Sequence, residues 1–218
     1  MLSWFSFNSN VRQYEDSFAR SFEGKLLGIK STVIDALADS SQRIVVVSHF
    51  VDTFAVIDQM FCENEIGYEV CCSRIDLDWF ETQARADCRV TMTLAEMLEP
   101  LITDQTKQDS DQQLTIIVTE RHPLASEDKR IEYFCRSLPC NVQWGYFLSF
   151  EDAVVAQIVD ERAMQIVDMF GMGANELINS KLVSNSLKQR LKKLESEYPT
   201  RHPADSAAQW LQQNLPRE

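Results

Sequence analysis

His49 and His122 are two of only three histidines in the chain, and each follows a β-branched run. Arg43 to Ser48 (RIVVVS) precedes the first, and Leu114 to Val118 (LTIIV) precedes the second. An imidazole exchanges a proton near neutral pH, so it can act as acid, base or metal ligand. If the two runs are parallel strands, both histidines stand at the carboxyl edge of one sheet. Open α/β sheets bind their ligands at that edge. Asp52, Glu96, Glu120 and Arg121 would lie close by. Such a set could move a proton or hold an anion, which makes a small enzyme built on His49 and His122 one candidate. The same residue types also occur as ordinary polar strand ends that satisfy their own hydrogen bonds. The sequence alone leaves both readings open.

Other chemistry is disfavoured by what is missing. A phosphate site needs glycines that let backbone N–H groups approach the ligand at a helix start. The chain has 6 glycines, none clustered after a strand, and neither GxxxxGK[ST] nor GxGxxG occurs. A self-contained nucleotide site is therefore not expected. Ser48, Ser73 and Ser149 lack the G-x-S-x-G elbow of a hydrolase. The 6 cysteines show no CxxC and no histidine at ligand spacing, so they read as small hydrophobes rather than zinc ligands or disulfides. No cofactor and no metal are expected.

The elements that would position these residues can be read in order. Val11 to Phe22 and Leu26 to Leu37 carry apolar residues at helical spacing and predict two N-terminal helices. Arg43 to Ser48 predicts a strand buried on both faces, hence a parallel sheet covered by helices. Asp52 is placed to cap the next helix, and Gly67 to end it. Tyr68 to Ser73, Cys88 to Thr93, Leu114 to Thr119 and Val142 to Leu148 read as further strands. Short helices are expected at Leu77 to Ala86 and Ser126 to Phe134, with a helical turn at Leu94 to Leu98. Thr103 to Gln113 is a polar loop. Ser149 to Asp152 resembles a capping box, predicting a helix from Ala153 to Phe170 closed by Gly171. Ser180 caps a helix to about Glu197, and Asp205 to Leu215 forms a last one. Strands alternating with helices in this way predict an open, mostly parallel α/β sheet of about 150 residues with a helical tail.

Composition narrows the partners. A net charge of −12 over 218 residues argues against nucleic acid, because cations supply most of that affinity. The basic residues of Lys181 to Lys193 read as the solvated face of an amphipathic helix. No apolar run approaches the roughly 20 residues of a membrane span, so stable membrane insertion is not expected. The N-terminus has no basic segment and no apolar core of a signal peptide, so a cytoplasmic location is expected.

Several stretches resemble a known family. Thr119-Glu120-Arg121-His122, Arg130-Ile131, Arg136-Ser137 and Tyr146-Phe147-Leu148-Ser149-Phe150-Glu151-Asp152 are similar to the second nucleotide-binding lobe of SecA, the preprotein translocase ATPase. That lobe carries T-E-R-H followed by arginines, then F-Y-L-S-x-E-D. Asp160 to Ala163, Phe170 to Met172 and Ile178 to Val183 extend the resemblance downstream, and Lys30 to His49 extends it upstream. It implies an α/β, RecA-like, P-loop-NTPase-type three-layer domain with a mostly parallel sheet, plus N-terminal and C-terminal helices. Residues 1–29 would be a helical extension, 30–152 the helicase C-terminal-type lobe and 153–218 a helical C-terminal segment.

The departures from the family are specific. Nothing in the chain resembles the first lobe, which carries the phosphate loop. The family's G-R-S-G-R-Q-G-D reads here Cys135-Arg136-Ser137-Leu138-Pro139-Cys140-Asn141, which keeps one arginine and loses every glycine. Its T-N-M-A-G-R-G-T-D reads Thr93 to Glu99, with Glu96 and Glu99 where a glycine loop and an arginine are expected. An arginine finger contributes on the order of 10³–10⁵ in rate. Arg121, Arg136, Glu120 and His122 would thus be vestiges of a nucleotide site, and His49, Asp52 and Glu96 a polar edge beside it. The expected function is that of a degenerate, stand-alone lobe that binds or regulates a protein partner or self-associates. The alternative is half of a composite NTPase whose phosphate loop comes from another chain.

Overall fold

The computed structural model describes residues 11–75, 87–99, 113–138, 140–159, 173, 175–198 and 202–216. The predicted elements at Leu77 to Ala86 and Thr103 to Gln112, the helix beyond residue 159 and its closing Gly171 lie outside these residues, as does the family-like stretch Asp160 to Ala163.

The sheet is built on β3 (Gln42–Ser48), whose residues are buried from Ile44 onward. Ile44 and Val46 face one side and Val45 and Val47 the other, so a continuous apolar run feeds two cores at once. Its parallel neighbours are β5 (Val90–Leu94) and β6 (Gln113–Val118). The short β4 (Glu69–Cys71) lies outside β5, and β7 (Asn141–Ser149) outside β6. On one face α1 (Phe22–Leu37) and α2 (Val51–Glu63) bury Ile29, Val33, Ile57 and Phe61. On the other, α3 (Ala125–Ser137) and α5 (Lys181–Glu197) bury Ile131, Phe134, Leu187 and Leu191. The short α4 (Ala153–Ile158) and α6 (Ala207–Asn214) complete the described α-helices. This is the three-layer, mostly parallel α/β architecture expected for a RecA-like lobe. Among the described residues no helix is long and apolar enough to cross a membrane.

The N-terminal segment departs from expectation. The helix predicted over Val11 to Phe22 is instead two strands, β1 (Val11–Gln13) and β2 (Ser17–Ala19). Both run parallel to β7, β1 along Val142 to Trp144 and β2 along Phe147 to Ser149. The apolar spacing of Val11, Tyr14 and Phe18 suits a helix, but pairing with an open strand edge overrides so weak a preference. The helix starts later, where the Ser21 hydroxyl accepts the Gly24 N–H at 3.0 Å. It then runs through the expected boundary at residue 29. The C-terminal segment also enters the sheet, because β8 (Leu177–Asn179) pairs antiparallel with β2. Gly28 permits this close approach: a Cβ there would lie 2.5 Å from Leu177 Cδ1.

Three predicted end signals work differently. Asp52 does not cap α2; it is exposed in the first turn, and Phe50 holds the cap position without a side-chain bond. Gly67 does not close α2, which stops at Glu63, with Glu65 in the left-handed region at φ 54°. Ser149 does not cap α4: its hydroxyl donates to Asp152 Oδ1 at 2.8 Å, and Asp152 occupies the cap position. That helix ends at Ile158, because Val159 is extended. Ser180 caps α5 as expected, accepting the Val183 N–H at 3.4 Å.

Candidate functional site at the carboxyl edge of the sheet

The strand order β4-β5-β3-β6-β7 places a reversal between β3 and β6. The chain leaves β3 toward one side of the sheet and β6 toward the other. The crevice outside the carboxyl ends of two such strands is where open α/β folds hold ligands. Ser48, His49 and Phe50 leave β3 there, and Thr119 to His122 leave β6.

Both strand ends are tied together from below. Thr119 N–H donates to Val47 O at 2.9 Å, and the Ser48 and Thr119 hydroxyls are 2.9 Å apart. Glu120 then turns back beneath the start of α2. Its Oε1 accepts the N–H groups of His49 and Phe50, each at 3.1 Å, and its Oε2 accepts the Thr53 hydroxyl at 2.8 Å. The N–H of Phe50, at the cap position of that helix, and of His49 before it are thus satisfied by a carboxylate about 70 residues away. Burial raises the Glu120 carboxyl above the usual range; Lys25, His49 and Thr53 oppose the rise and Asp152 reinforces it.

Arg121 is the centre of a second network. It is only 3% exposed, donates to Asp128 Oδ2 at 2.8 Å and to Asp16 Oδ2 at 2.6 Å, and lies 3.4 Å over the Tyr146 ring. Burial disfavours its charge, but Asp128, Tyr146 and Asp16 outweigh that and hold it protonated. Burial likewise pushes Asp128 up, yet Arg121 and His49 bring it below the ordinary carboxylate range. His49 Nε2 lies 3.3 Å from Asp128 Oδ1. Asp16 Oδ1, Arg121 Nε and the Tyr146 hydroxyl make no hydrogen bond among the described residues. A third pair sits alongside: Lys25, 1% exposed, meets Asp152 at 2.5 Å.

The two histidines do come together, with ring centroids 5.3 Å apart. They are not open to solvent as a pair. The His49 side chain is 2% exposed. His122 stacks on Phe50 at 5.2 Å and meets the edge of Trp210 at 5.8 Å. Its Nδ1 accepts the Leu124 N–H at 3.0 Å, which leaves Nε2 to carry the proton of a neutral ring. Trp210 and Leu211 of α6 close the crevice with Phe50 and Leu124.

The other predicted site residues stand apart from this cluster. Asp52 contributes its backbone N–H to Asp205 O at 3.0 Å. Glu96 lies in an exposed turn after β5, where its carbonyl accepts Arg130 Nη2 at 2.7 Å. Arg136, on the last turn of α3, pairs with Glu132 at 2.9 Å and is 40% exposed. Asp16, Lys25, Thr53, Asp128 and Trp210 line this cluster without having been singled out, and Tyr146 was named only within the family-like stretch. Nothing in their local spacing signals the role, which arises only when distant elements pack. Among the described residues no group of three or more His, Cys, Asp and Glu could hold a metal ion.

Comparison with known proteins adds a family. "Protein translocase subunit SecA" of Bacteroides fragilis is 23% identical over 165 residues, which is 74% of this chain and 15% of the relative. The same subunit of Azobacteroides pseudotrichonymphae is 23% identical over 184 residues, 83% of this chain and 16% of the relative. This chain resembles a lobe of SecA. It spans only about 15% of the length of these relatives. No protein-family model matches it. Among solved structures, the C-terminal part of the Fun30 ATPase domain aligns with a TM-score of 0.42 at 10% identity, over 78% of this chain and 54% of that one.

Of the SecA-like stretches, Thr119 to His122 follows the end of β6, and Tyr146 to Asp152 runs from β7 to the start of α4. What these residues touch is now defined. The T-E-R-H glutamate braces α2, the arginine is held by two carboxylates, and the final aspartate pairs with Lys25.

Proposed function

We propose that this is a SecA-like lobe that has exchanged nucleotide chemistry for internal structure, and that it serves protein translocation in the cytoplasm as a binding or regulatory module. The observation that carries the reading is the fate of Arg121. A phosphate-facing arginine needs free donors toward the ligand. Here two buried carboxylates take Nη1 and Nη2, and the guanidinium face lies on Tyr146. Arg136, the counterpart of the family's first arginine, is committed to Glu132 on the helix surface. The crevice that would receive the ligand is filled by Trp210 and Leu211. The translocation role rests on similarity to SecA over most of this chain. A lobe that other domains cover in a larger motor is a surface suited to a partner.

Steady-state ATP hydrolysis tests the reading. The purified chain, alone and with the proteins that copurify from its own host, is expected to give no turnover above buffer. Turnover that requires a copurifying partner and disappears in Arg136→Ala would instead establish a composite NTPase.

A further inference from the structure

α6 is eight residues long, and a helix of that length does not hold itself together in water. It is ordered by what it touches. Ser206 caps it by accepting the Gln209 N–H at 3.2 Å, and Asp205 O receives the Asp52 N–H at 3.0 Å. Trp210 is 2% exposed and Leu211 9%. They form with Phe50 and Leu124 a small apolar cluster distinct from the two cores of the sheet. The remaining walls are Ala153 of α4, Leu194 of α5 and the His122 ring.

The groove and its occupant are unequal. Phe50, His122 and Leu124 are fixed by Glu120, by the Leu124–His122 turn and by the strand pair beneath, none of which uses α6. The seat is thus built mainly by elements other than α6, the Asp52 N–H to Asp205 O bond apart, while α6 has little structure without the seat. An apolar slot with a histidine ring at its rim suits an amphipathic helix that presents a tryptophan.

We propose that the groove between Phe50, His122 and Leu124 is a recognition site for a short amphipathic helix carrying a Trp–Leu pair, that α6 fills it in cis, and that a partner helix of the same chemistry displaces α6. This deepens the binding-module reading by naming the surface and the partner's chemistry. The cis helix sets the threshold: apparent affinity for the partner is the intrinsic affinity divided by the fraction of molecules with an open groove. Release of α6 thus tightens binding by the ratio of closed to open molecules.

The test uses the full chain and a fluorescently labelled peptide of residues 202–216. Trp210→Ala, which loosens α6 and leaves the groove walls intact, is expected to bind the peptide at least tenfold more tightly than wild type. Adding Leu124→Lys to that variant is expected to abolish binding, as is a peptide in which the tryptophan is alanine. Equal affinity for wild type and Trp210→Ala, or no binding by a Trp210→Ala chain with a wild-type circular dichroism spectrum, overturns the proposal. Should Trp210→Ala fail to fold, hydrogen exchange on wild type decides instead. Excess peptide is expected to deprotect the amides of 207–214, and unchanged protection overturns the proposal. Failure here with no ATP turnover would remove the groove and leave the reading of an inactive lobe standing.

Discussion

Replacing Arg121 by methionine should be the most damaging single change at the carboxyl edge of the sheet. Methionine keeps most of the side-chain volume and still covers the Tyr146 ring, so packing loss is small. What disappears is the one cation between Asp16 and Asp128, which are 2.6 and 2.8 Å from it and themselves buried. Removing one partner of a buried ion pair leaves an uncompensated charge and costs roughly 3–5 kcal/mol. Against a total stability of about 5–15 kcal/mol, that is a large share. With a urea slope of about 2–3 kcal/mol/M, the midpoint should fall by about 1–2.5 M. The loss should also depend on pH in a definite direction. In the wild type, the folded-state pKa of Asp128 is depressed, so its contribution is present above the unfolded carboxylate value and is lost as pH falls through the folded one. Without Arg121, burial dominates and raises it, so the penalty is largest at neutral pH and shrinks as protons bind. Urea unfolding followed by tryptophan fluorescence at pH 7 and pH 5 measures both effects. A loss below about 1 kcal/mol, or the same loss at both pH values, would refute the assignment of Arg121 to a buried structural network.

Further outcomes follow from the neighbouring contacts. Glu120→Ala should destabilise the chain by on the order of 2–4 kcal/mol in chemical denaturation, because the N–H groups of His49 and Phe50 lose their acceptor inside the protein. Glu120→Gln keeps an acceptor and removes the titration. Burial raises the folded-state pKa of Glu120, so its contribution is present below the unfolded value and lost as pH rises. The glutamine variant should therefore gain on wild type between pH 5 and pH 8, as thermal midpoints across that range would show. Gly28→Ala drives a Cβ to 2.5 Å from Leu177 Cδ1, so it should cost about 1–3 kcal/mol despite better helix propensity, with early hydrogen exchange in β8.

The parts of the fold that the sequence revealed are those whose signal is local. The alternation of Ile44, Val45, Val46 and Val47 between two cores is written into four consecutive apolar residues. Parallel pairing of β3 with β6 then brings His49 and His122 to one edge, as the two β-branched runs implied. Ser180 caps α5 because its hydroxyl needs only the backbone three residues on.

What escaped depends on distant partners. Val11 to Phe22 has helical spacing, yet β7 offers an open edge that only the assembled sheet presents. Misplacing that segment hides Asp16, and with it one of the two carboxylates that hold Arg121. Asp52 and Ser149 look like helix caps by position. Glu120, about 70 residues downstream, braces α2 in place of the first, and Asp152 takes the cap position from the second while pairing with Lys25 across 127 residues. Charged side chains choose among candidate partners by burial and geometry, which no local window contains. The family-like stretches stand at the carboxyl ends of β6 and β7, and the packing around them determines what their residues touch.

The most direct measurement is an isothermal titration of the purified chain with ATP and Mg²⁺, repeated with ADP. With Arg121 engaged by Asp16 and Asp128 and the crevice closed by Trp210, the expected result is no saturable heat up to millimolar nucleotide. Saturable binding at micromolar nucleotide that is lost in Arg121→Met, in a variant shown to be folded under the same conditions, would contradict the claim that this arginine serves structure alone.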